Sequence, residues 1–196
     1  FTKNENFRKK TLDQVKNNLP KKINDFVLIN NAAAQIVNPV PKLSKSDWEN
    51  TFMVNTVAPF LLVQGFMEQL IKTNGSVINI SSIHSKLTKA NFSCYAASKA
   101  ALESLTRSLA LELSVKGISI NAIAPAAIST DMLKNGFEKS PHKLKELENY
   151  HPSGKIGSPE ELAIFVKSIV DQKSGFLTGS VLEFSGGIAS KLHDPE

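Results

Sequence analysis

The sequence is poor in cysteine and in the aromatic residues that carry a hydroxyl or an indole. Its 196 residues include one cysteine, one tryptophan and two tyrosines. A single cysteine, Cys94, excludes both a disulfide within the chain and a zinc site built from several cysteines. It also favours a reducing compartment, so we expect a cytoplasmic protein. We expect no metal site.

Long hydrophobic runs are missing as well. No apolar run approaches the roughly 20 residues that a membrane-spanning helix needs, so no membrane partner is expected. The first ten residues are polar and basic and lack the apolar stretch of a secretory signal. Because residue 1 is Phe and not Met, we expect that the gene product begins further upstream.

The net charge of +5 lies entirely in the first 22 residues. This segment has seven basic and two acidic residues, whereas the rest of the chain has 16 of each. An anion-binding arm is one interpretation. The solvated face of a single helix is the favoured one, because nucleic-acid binders usually show a wider basic stripe with aromatic residues. No nucleic-acid partner is expected.

Helix-like and strand-like segments alternate along the chain, which predicts an α/β fold with a parallel sheet. The run 26–29 is apolar throughout, as in a strand buried on both faces. We predict one domain over 1–196, with a long polar segment at about 130–157 as a substrate lid. Strands are predicted near 26–29, 76–82, 118–123 and 179–184, and helices near 11–19, 46–71, 94–115 and 159–170.

Tyr95 and Lys99 lie four residues apart at the start of a predicted helix, which places both side chains on one face. A tyrosine hydroxyl has a reference pKa of about 10, and a neighbouring ammonium group lowers it by favouring the phenolate. The pair is therefore a candidate proton donor and acceptor. By itself this spacing also occurs often in surface pairs.

Polar residues at the ends of predicted strands strengthen this interpretation. Ser81 and Ser82 follow one buried strand, Asn30 follows the preceding strand, and Pro125 ends the next one. Ligands of open parallel sheets bind outside the carboxyl ends of the strands. These strand ends and the start of the helix with Tyr95 are therefore expected to converge on one site.

Asn55 lies inside the predicted helix 46–71, four residues before Pro59. Proline has no N–H, so the carbonyl group of Asn55 loses its helical partner and the helix should kink. The freed carbonyl and the amide side chain could hold an ordered water. The alternative is a tolerated proline kink with a solvent-facing asparagine.

These motifs, taken in order, resemble those of the short-chain dehydrogenase/reductase family along essentially the whole chain. The resemblance implies a Rossmann-like, doubly wound parallel sheet, an NAD or NADP cofactor, a small carbonyl or alcohol substrate and a homo-oligomer. The matching motifs are Asn30-Asn31-Ala32-Ala33, Asn55, Ser82, Tyr95-x-x-x-Lys99, Pro125-x-x-Ile128-x-Thr130 and Gly186-Gly187.

The resemblance also implies catalytic roles. Tyr95 would pass a proton to or from the substrate oxygen, and Ser82 would hydrogen-bond that oxygen. Lys99 would lower the pKa of the tyrosine and hold the nicotinamide ribose. Asn55 would anchor a water that connects Lys99 to bulk solvent.

The remaining matching residues would bind the cofactor. Asn30 and Ala32 would lie along its adenosine side. Pro125, Ile128 and Thr130 would contact the nicotinamide carboxamide.

The sequence departs from the family pattern in three places. The glycine-rich turn that holds the cofactor diphosphate has no counterpart in these residues, so the first strands of the sheet are expected to be missing and 26–29 to form a bare edge. Ala33 and Ala126 replace family glycines, a residue type used where φ is positive or a ligand lies close. These departures keep open a non-catalytic binding or regulatory module as the alternative to an enzyme.

Three side chains outside the motifs are further candidates for substrate contacts. His84 follows Ser82 by two residues, and Tyr150 and His151 lie near the end of the predicted lid. For each of them an ordinary structural position is the favoured interpretation.

Overall fold

Helices and parallel strands alternate in the computed structural model, which describes residues 5–138, 140–172 and 175–192. The strands are β1 (Val27–Asn30), β2 (Ser76–Ile80), β3 (Ser119–Pro125) and β4 (Val181–Phe184). The α-helices are α1 (Glu5–Asn17), α2 (Lys45–Phe52), α3 (Ala58–Gly65), α4 (Met67–Thr73), α5 (Ser93–Leu113), α6 (Asp131–Phe137), α7 (Pro141–Tyr150) and α8 (Pro159–Asp171).

The four strands form one sheet in the order β1-β2-β3-β4, and every neighbouring pair is parallel. Val27 pairs with Ser76, Ser76 with Ser119, and Ala122 with Val181. The carboxyl ends of the strands therefore lie along one edge of the sheet. The predicted α/β fold with a parallel sheet is confirmed.

Helices cover the two faces of the sheet unequally. On one face α3, α4 and α5 pack against the strands through a buried cluster that includes Val63, Leu70, Leu109 and Ile120. On the other face α8 packs through Ile169 and its neighbours against β2 and β3. Each buried aliphatic side chain of this kind stabilises the fold by about 1.5–3 kcal/mol relative to exposure.

The prediction that the first strand is buried on both faces is wrong. Leu28 packs against the cluster beneath α3 to α5, but Val27 and Ile29 point to the other face and are 37% and 48% exposed. Within the described residues, α8 covers β2 and β3 and nothing covers β1 on that face. Since β1 also pairs with β2 alone, the expected bare edge is present.

The helix predicted over 46–71 is interrupted. A π-helical turn, Met53–Val57, separates α2 from α3, and the N–H of Ala58 donates to the carbonyl of Met53 five residues earlier. Pro59 cannot donate to the carbonyl of Asn55, which explains the wider turn at this point. Such π-turns inside helices occur frequently at functional sites.

The basic segment at the start forms a helix, as favoured by the sequence. Helix α1 begins six residues before the predicted position 11, and it presents Lys9 and Lys10 to solvent while Leu12 packs against the core. Lys3 lies outside the described residues. No helix in the described part of the chain is both long and apolar enough to cross a membrane.

Helix α8 begins with a capping box. The Ser158 hydroxyl accepts a hydrogen bond from the N–H of Glu161 at 3.1 Å, and the Glu161 carboxylate accepts one from the N–H of Ser158 at 2.9 Å. Two N–H groups at the helix start are thereby satisfied. Ser140 occupies the same position before α7, but its side chain makes no capping bond.

We predict that Ser158→Ala lowers the free energy of unfolding by about 1 kcal/mol, the usual cost of losing an N-cap side chain. Ser140→Ala is the matched control and should change it by much less. Urea denaturation followed by circular dichroism measures both. Equal losses in the two variants would contradict the assignment.

Candidate active site

Six of the nine predicted site residues line one large cavity at the carboxyl ends of the strands. Its volume is about 1620 Å³, above the 300–1,000 Å³ typical of small-molecule sites. The cavity reaches Val27 and Ile29 on the uncovered face of β1. The predicted site residues in its wall are Ser82, Tyr95, Lys99, Pro125, Ile128 and Thr130.

Tyr95 lies on the first turn of α5 and is 8% exposed. Burial raises the pKa of its phenol above the ordinary value of 10.0, while a hydrogen bond with Ser82 acts in the opposite direction. The net direction is opposite to the one expected from the Tyr95–Lys99 spacing. The reason is that removal of the phenolate from water outweighs the neighbouring groups.

Lys99 lies one turn further along α5, and its side chain is on the same side as that of Tyr95. Its Nζ is 5.7 Å from the centre of the Tyr95 ring and donates a hydrogen bond to the carbonyl of Ile80 at 2.7 Å. The residue is 2% exposed, and this burial lowers the pKa of the ammonium from 10.5 to about 8. The charge is thus held at the end of β2, against the phenol.

Ser82 caps the short 3-10 turn Ile83–Ser85, and its Oγ accepts a hydrogen bond from the N–H of His84 at 3.2 Å. The hydroxyl proton remains available for the phenol or for a ligand oxygen. The preceding residue, Ser81, anchors the strand end: its N–H donates to the Ile123 carbonyl at 2.7 Å and its hydroxyl to Glu103 at 2.9 Å.

His84 forms part of the cavity wall beside the phenol. Its ring stacks on Phe92 with centroids 4.5 Å apart and meets Tyr95 edge-on at 5.9 Å. Burial, and to a smaller extent the charge of Lys89, lowers the pKa of His84. A mainly uncharged ring therefore faces the cavity at neutral pH.

Asn55 is 1% exposed and ties the loop after β1 to α5. Its Oδ1 accepts from the N–H of Ala34 at 2.8 Å, and its Nδ2 donates to the Ala34 carbonyl at 2.9 Å and to Ser98 Oγ at 2.8 Å. These three hydrogen bonds join the side-chain amide to protein groups. The water expected at Asn55 stays a prediction.

Asn30 and Ala32 do not line the cavity. Asn30 is buried, and its Nδ2 donates to Asn79 Oδ1 at 2.7 Å; Ala32 is exposed. Asn31 and Ala33 line the cavity instead. Alternation along the extended chain from Val27 and Ile29 places odd-numbered residues on this face, a signal that could have identified them from the sequence.

The two alanines that replace family glycines have ordinary backbone conformations. Among the described residues, the positive φ angles outside glycine belong to Asn74 and Asn91. Ala33 and Ala126 both line the cavity. Each alanine therefore differs from glycine here by a methyl group beside the cavity and not by backbone strain.

Cys94 is fully buried, and its sulfur lies 3.6 Å from the carbonyl of Asp47. This contact gives it a packing position. The described residues contain no group of three or more His, Cys, Asp or Glu placed to hold a metal ion.

We predict that Lys99→Met stabilises the protein at pH 7. The fall of the Lys99 pKa from 10.5 to about 8 corresponds to a penalty of about 3 kcal/mol for holding the ammonium in the fold. Below pH 8 the full penalty applies, because Lys99 is protonated in both the folded and the unfolded chain. Between pH 8 and pH 10.5 the folded chain releases this proton while the unfolded chain keeps it, so the penalty decreases. Above pH 10.5 it is absent.

Urea denaturation between pH 7 and pH 10 tests this. The advantage of Lys99→Met over the parent should shrink as the pH rises. Lys116→Met, at an exposed position, is the control and should show no such trend. A pH-independent difference for Lys99→Met would contradict the buried charge.

We predict that Asn55→Ala lowers the free energy of unfolding by about 3 kcal/mol, because the variant loses buried hydrogen bonds and leaves the Ala34 amide without partners. Asn50→Ala, at an exposed site on α2, should cost much less. Thermal and urea unfolding measure both. If Asn55→Ala loses no more stability than the control, the hydrogen bonds of Asn55 do not stabilise the fold as predicted.

The chain was compared with known proteins. The protein-family model described as enoyl-(acyl carrier protein) reductase matches residues 3–189. A 3-oxoacyl-[acyl-carrier-protein] reductase of Aquifex aeolicus is 34% identical over 163 residues, covering 83% of this chain and 64% of the reductase. The subunit BbsD of (2S)-[(R)-hydroxy(phenyl)methyl]succinyl-CoA dehydrogenase from Thauera aromatica is 35% identical over 163 residues, covering 82% of this chain and 64% of the subunit.

Among solved structures, a gluconate 5-dehydrogenase from Burkholderia cenocepacia in complex with NADP and tartrate superimposes with a TM-score of 0.85 at 26% identity. The match covers 96% of this chain and 73% of that one. The chain spans less than two thirds of the length of the two curated relatives. The family model, the relatives and the fold agree with the sequence motifs: the chain belongs to the short-chain dehydrogenase/reductase family.

Proposed function

We propose that the protein is an NAD(P)-dependent oxidoreductase that interconverts a carbonyl and an alcohol. The observation that supports this best is the meeting of Ser82, Tyr95 and Lys99 in the wall of one cavity. A hydrogen-bond donor, a phenol and a buried ammonium are the groups needed to hold a carbonyl oxygen and to exchange a proton with it.

The residues around Lys99 fit the nicotinamide end of such a cofactor. The buried ammonium offers donors to ribose hydroxyls, and Pro125, Ile128 and Thr130 line the same cavity. The cavity volume of about 1620 Å³ also exceeds the size usual for a single small-molecule ligand. The 196 residues contain no glycine-rich turn that could hold the cofactor diphosphate. Only the nicotinamide end of the cofactor therefore has matching residues in this chain. When bound, the nicotinamide supplies or accepts the hydride.

Tyr95 is the proton donor for carbonyl reduction. Its raised pKa keeps the phenol protonated at neutral pH, so it can give its proton to the substrate oxygen as that oxygen gains charge. Ser82 donates a hydrogen bond to the same oxygen, which stabilises the developing charge. The carbonyl carbon gains a hydride and the oxygen a proton, and the product is an alcohol.

Lys99 supports the tyrosinate that remains after this transfer. With a pKa of about 8, its ammonium is mostly charged at pH 7 and lies over the Tyr95 ring. A positive charge in a buried site stabilises the phenolate more strongly than it would in water. In our proposal a water at the Asn55 carbonyl then returns a proton from solvent through Lys99.

The segment 130–157 is proposed as a substrate lid. Its ends are held together by the Ile128–Gly157 bridge and by a hydrogen bond of 2.8 Å from the N–H of Ser129 to the Gly157 carbonyl. Helices α6 and α7 lie between these ends and contribute Leu133, Phe137 and Leu147 to the cavity wall. A loop closed at its base can move as a unit over a site.

A homo-oligomer is also proposed, through the small side chains on α5. Ala96, Ala97, Ala100 and Ala101 are partly exposed along this helix, and small side chains let a second helix approach closely.

The two curated relatives are named for substrates that are acyl thioesters, and the enzyme in the solved structure is named for a sugar acid. They therefore support the class of reaction and not one substrate.

We predict that Tyr95→Phe lowers kcat for carbonyl reduction by about a hundredfold or more, the usual contribution of a positioned general acid. Tyr150→Phe is the matched control, because it removes the only other phenol, which also lines the cavity, and its loss should be far smaller. Activity is measured with NADH and with NADPH on a panel of ketones and aldehydes.

Parental activity in Tyr95→Phe would contradict the proton-transfer assignment. If neither NADH nor NADPH binds in a fluorescence titration of the natural protein, the non-catalytic module becomes the better proposal.

A further inference from the structure

His151 is a buried histidine that the proposed proton transfer does not use. It follows the last residue of α7, is 3% exposed, and lines the same cavity as Ser82 and Tyr95. A polar ring at this degree of burial normally has partners for both nitrogens.

The hydrogen bonding of the ring identifies which nitrogen carries the proton. Nδ1 lies 2.7 Å from the carbonyl oxygen of Leu147, one helical turn earlier. A carbonyl oxygen can only accept, so Nδ1 is the donor. In a neutral imidazole the other nitrogen is then an acceptor. Nε2 is buried and has no hydrogen-bond partner among the described residues.

The loop after β4 holds the ring in this position. The N–H of Ser153 donates to the Gly186 carbonyl at 3.0 Å. Gly186 has a φ of +56°, and a Cβ there would lie 2.5 Å from Ser153 Oγ and 3.6 Å from His151 Cδ2. Rotation of the ring would break the bond to Leu147.

A bound molecule can supply the missing donor. A buried acceptor without a partner costs about 1–3 kcal/mol, which a hydrogen bond from a bound molecule would recover. The lid residues Leu133, Phe137 and Leu147 line the same cavity and are apolar. Ser82 and Tyr95 are already assigned to the reacting oxygen.

We propose that His151 is a specificity residue whose Nε2 accepts a hydrogen bond from a hydroxyl group of the substrate. The substrate class is therefore a carbonyl compound with at least one hydroxyl group besides the reacting oxygen. This inference rests on the proposed oxidoreductase function and narrows its substrate.

Two variants of His151 test the roles of its two ring nitrogens separately. In His151→Asn the amide NH₂ can replace Nδ1 and keep the bond to Leu147, but nothing replaces Nε2. In His151→Gln the longer side chain can place its amide oxygen near the position of Nε2. His142→Asn changes an exposed histidine on the first turn of the same helix and serves as the control.

The test compares hydroxyketones with the matching ketones that have hydrogen in place of the hydroxyl group. For the parent and for His142→Asn, we expect kcat/KM to favour the hydroxyketone by roughly tenfold or more, as a site built to bond a hydroxyl discriminates against its absence. In His151→Asn the ratio should fall towards one, and His151→Gln should retain part of it. An unchanged ratio in His151→Asn, or no preference in the parent, would overturn the assignment.

A second measurement does not depend on activity. The imidazole ¹⁵N resonances of the free protein should show His151 with its proton on Nδ1, and the Nε2 resonance should shift when a hydroxyketone binds. A proton on Nε2 would overturn the acceptor role even if ketones are reduced. No reduction of any ketone with NADH or NADPH would instead contradict the oxidoreductase proposal and, with it, the substrate class.

Discussion

The hydrogen bond from the Lys99 ammonium to the carbonyl of Ile80 is the interaction on which the site depends. It joins the first turns of α5 to the end of β2, and it fixes a cation beside the phenol of Tyr95. The same burial that makes this bond strong also disfavours the charge, since it lowers the pKa of Lys99 to about 8. The packed core must therefore support a site that is electrostatically costly, as is common where ionisable groups perform chemistry.

Buried polar contacts hold the surrounding loops in place. On one side, Asn30, Asn79 and Thr106 form a chain of hydrogen bonds from β1 through β2 to α5. On the other, Asn55 connects Ala34 to Ser98. Partners that are far apart in sequence thus connect β1, β2 and the loop after β1 to α5. These buried hydrogen bonds restrict the arrangement of the segments that they join, while Asn30 Oδ1 has no partner among the described residues.

The size of the cavity and the bare edge of the sheet have one cause. Helix α8 packs over β2 and β3, which leaves Val27 and Ile29 uncovered and extends the cavity along β1. An apolar edge strand with free backbone groups readily accepts another strand. The curated relatives are longer than this chain, which spans 64% of two of them.

Short segments of the sequence were enough to predict the parallel sheet, the capping box at Ser158 and the pairing of Tyr95 with Lys99. The capping box and the Tyr95–Lys99 pairing depend on spacings of three and four residues. The parallel sheet was predicted from the alternation of helices and strands along the chain. The one-sided burial of β1, the partners of Asn55, the raised pKa of Tyr95 and the proton position on His151 could not be predicted in this way. They depend on which segments distant in the chain exclude water from a group or supply its hydrogen-bond partner, and only the tertiary structure decides that.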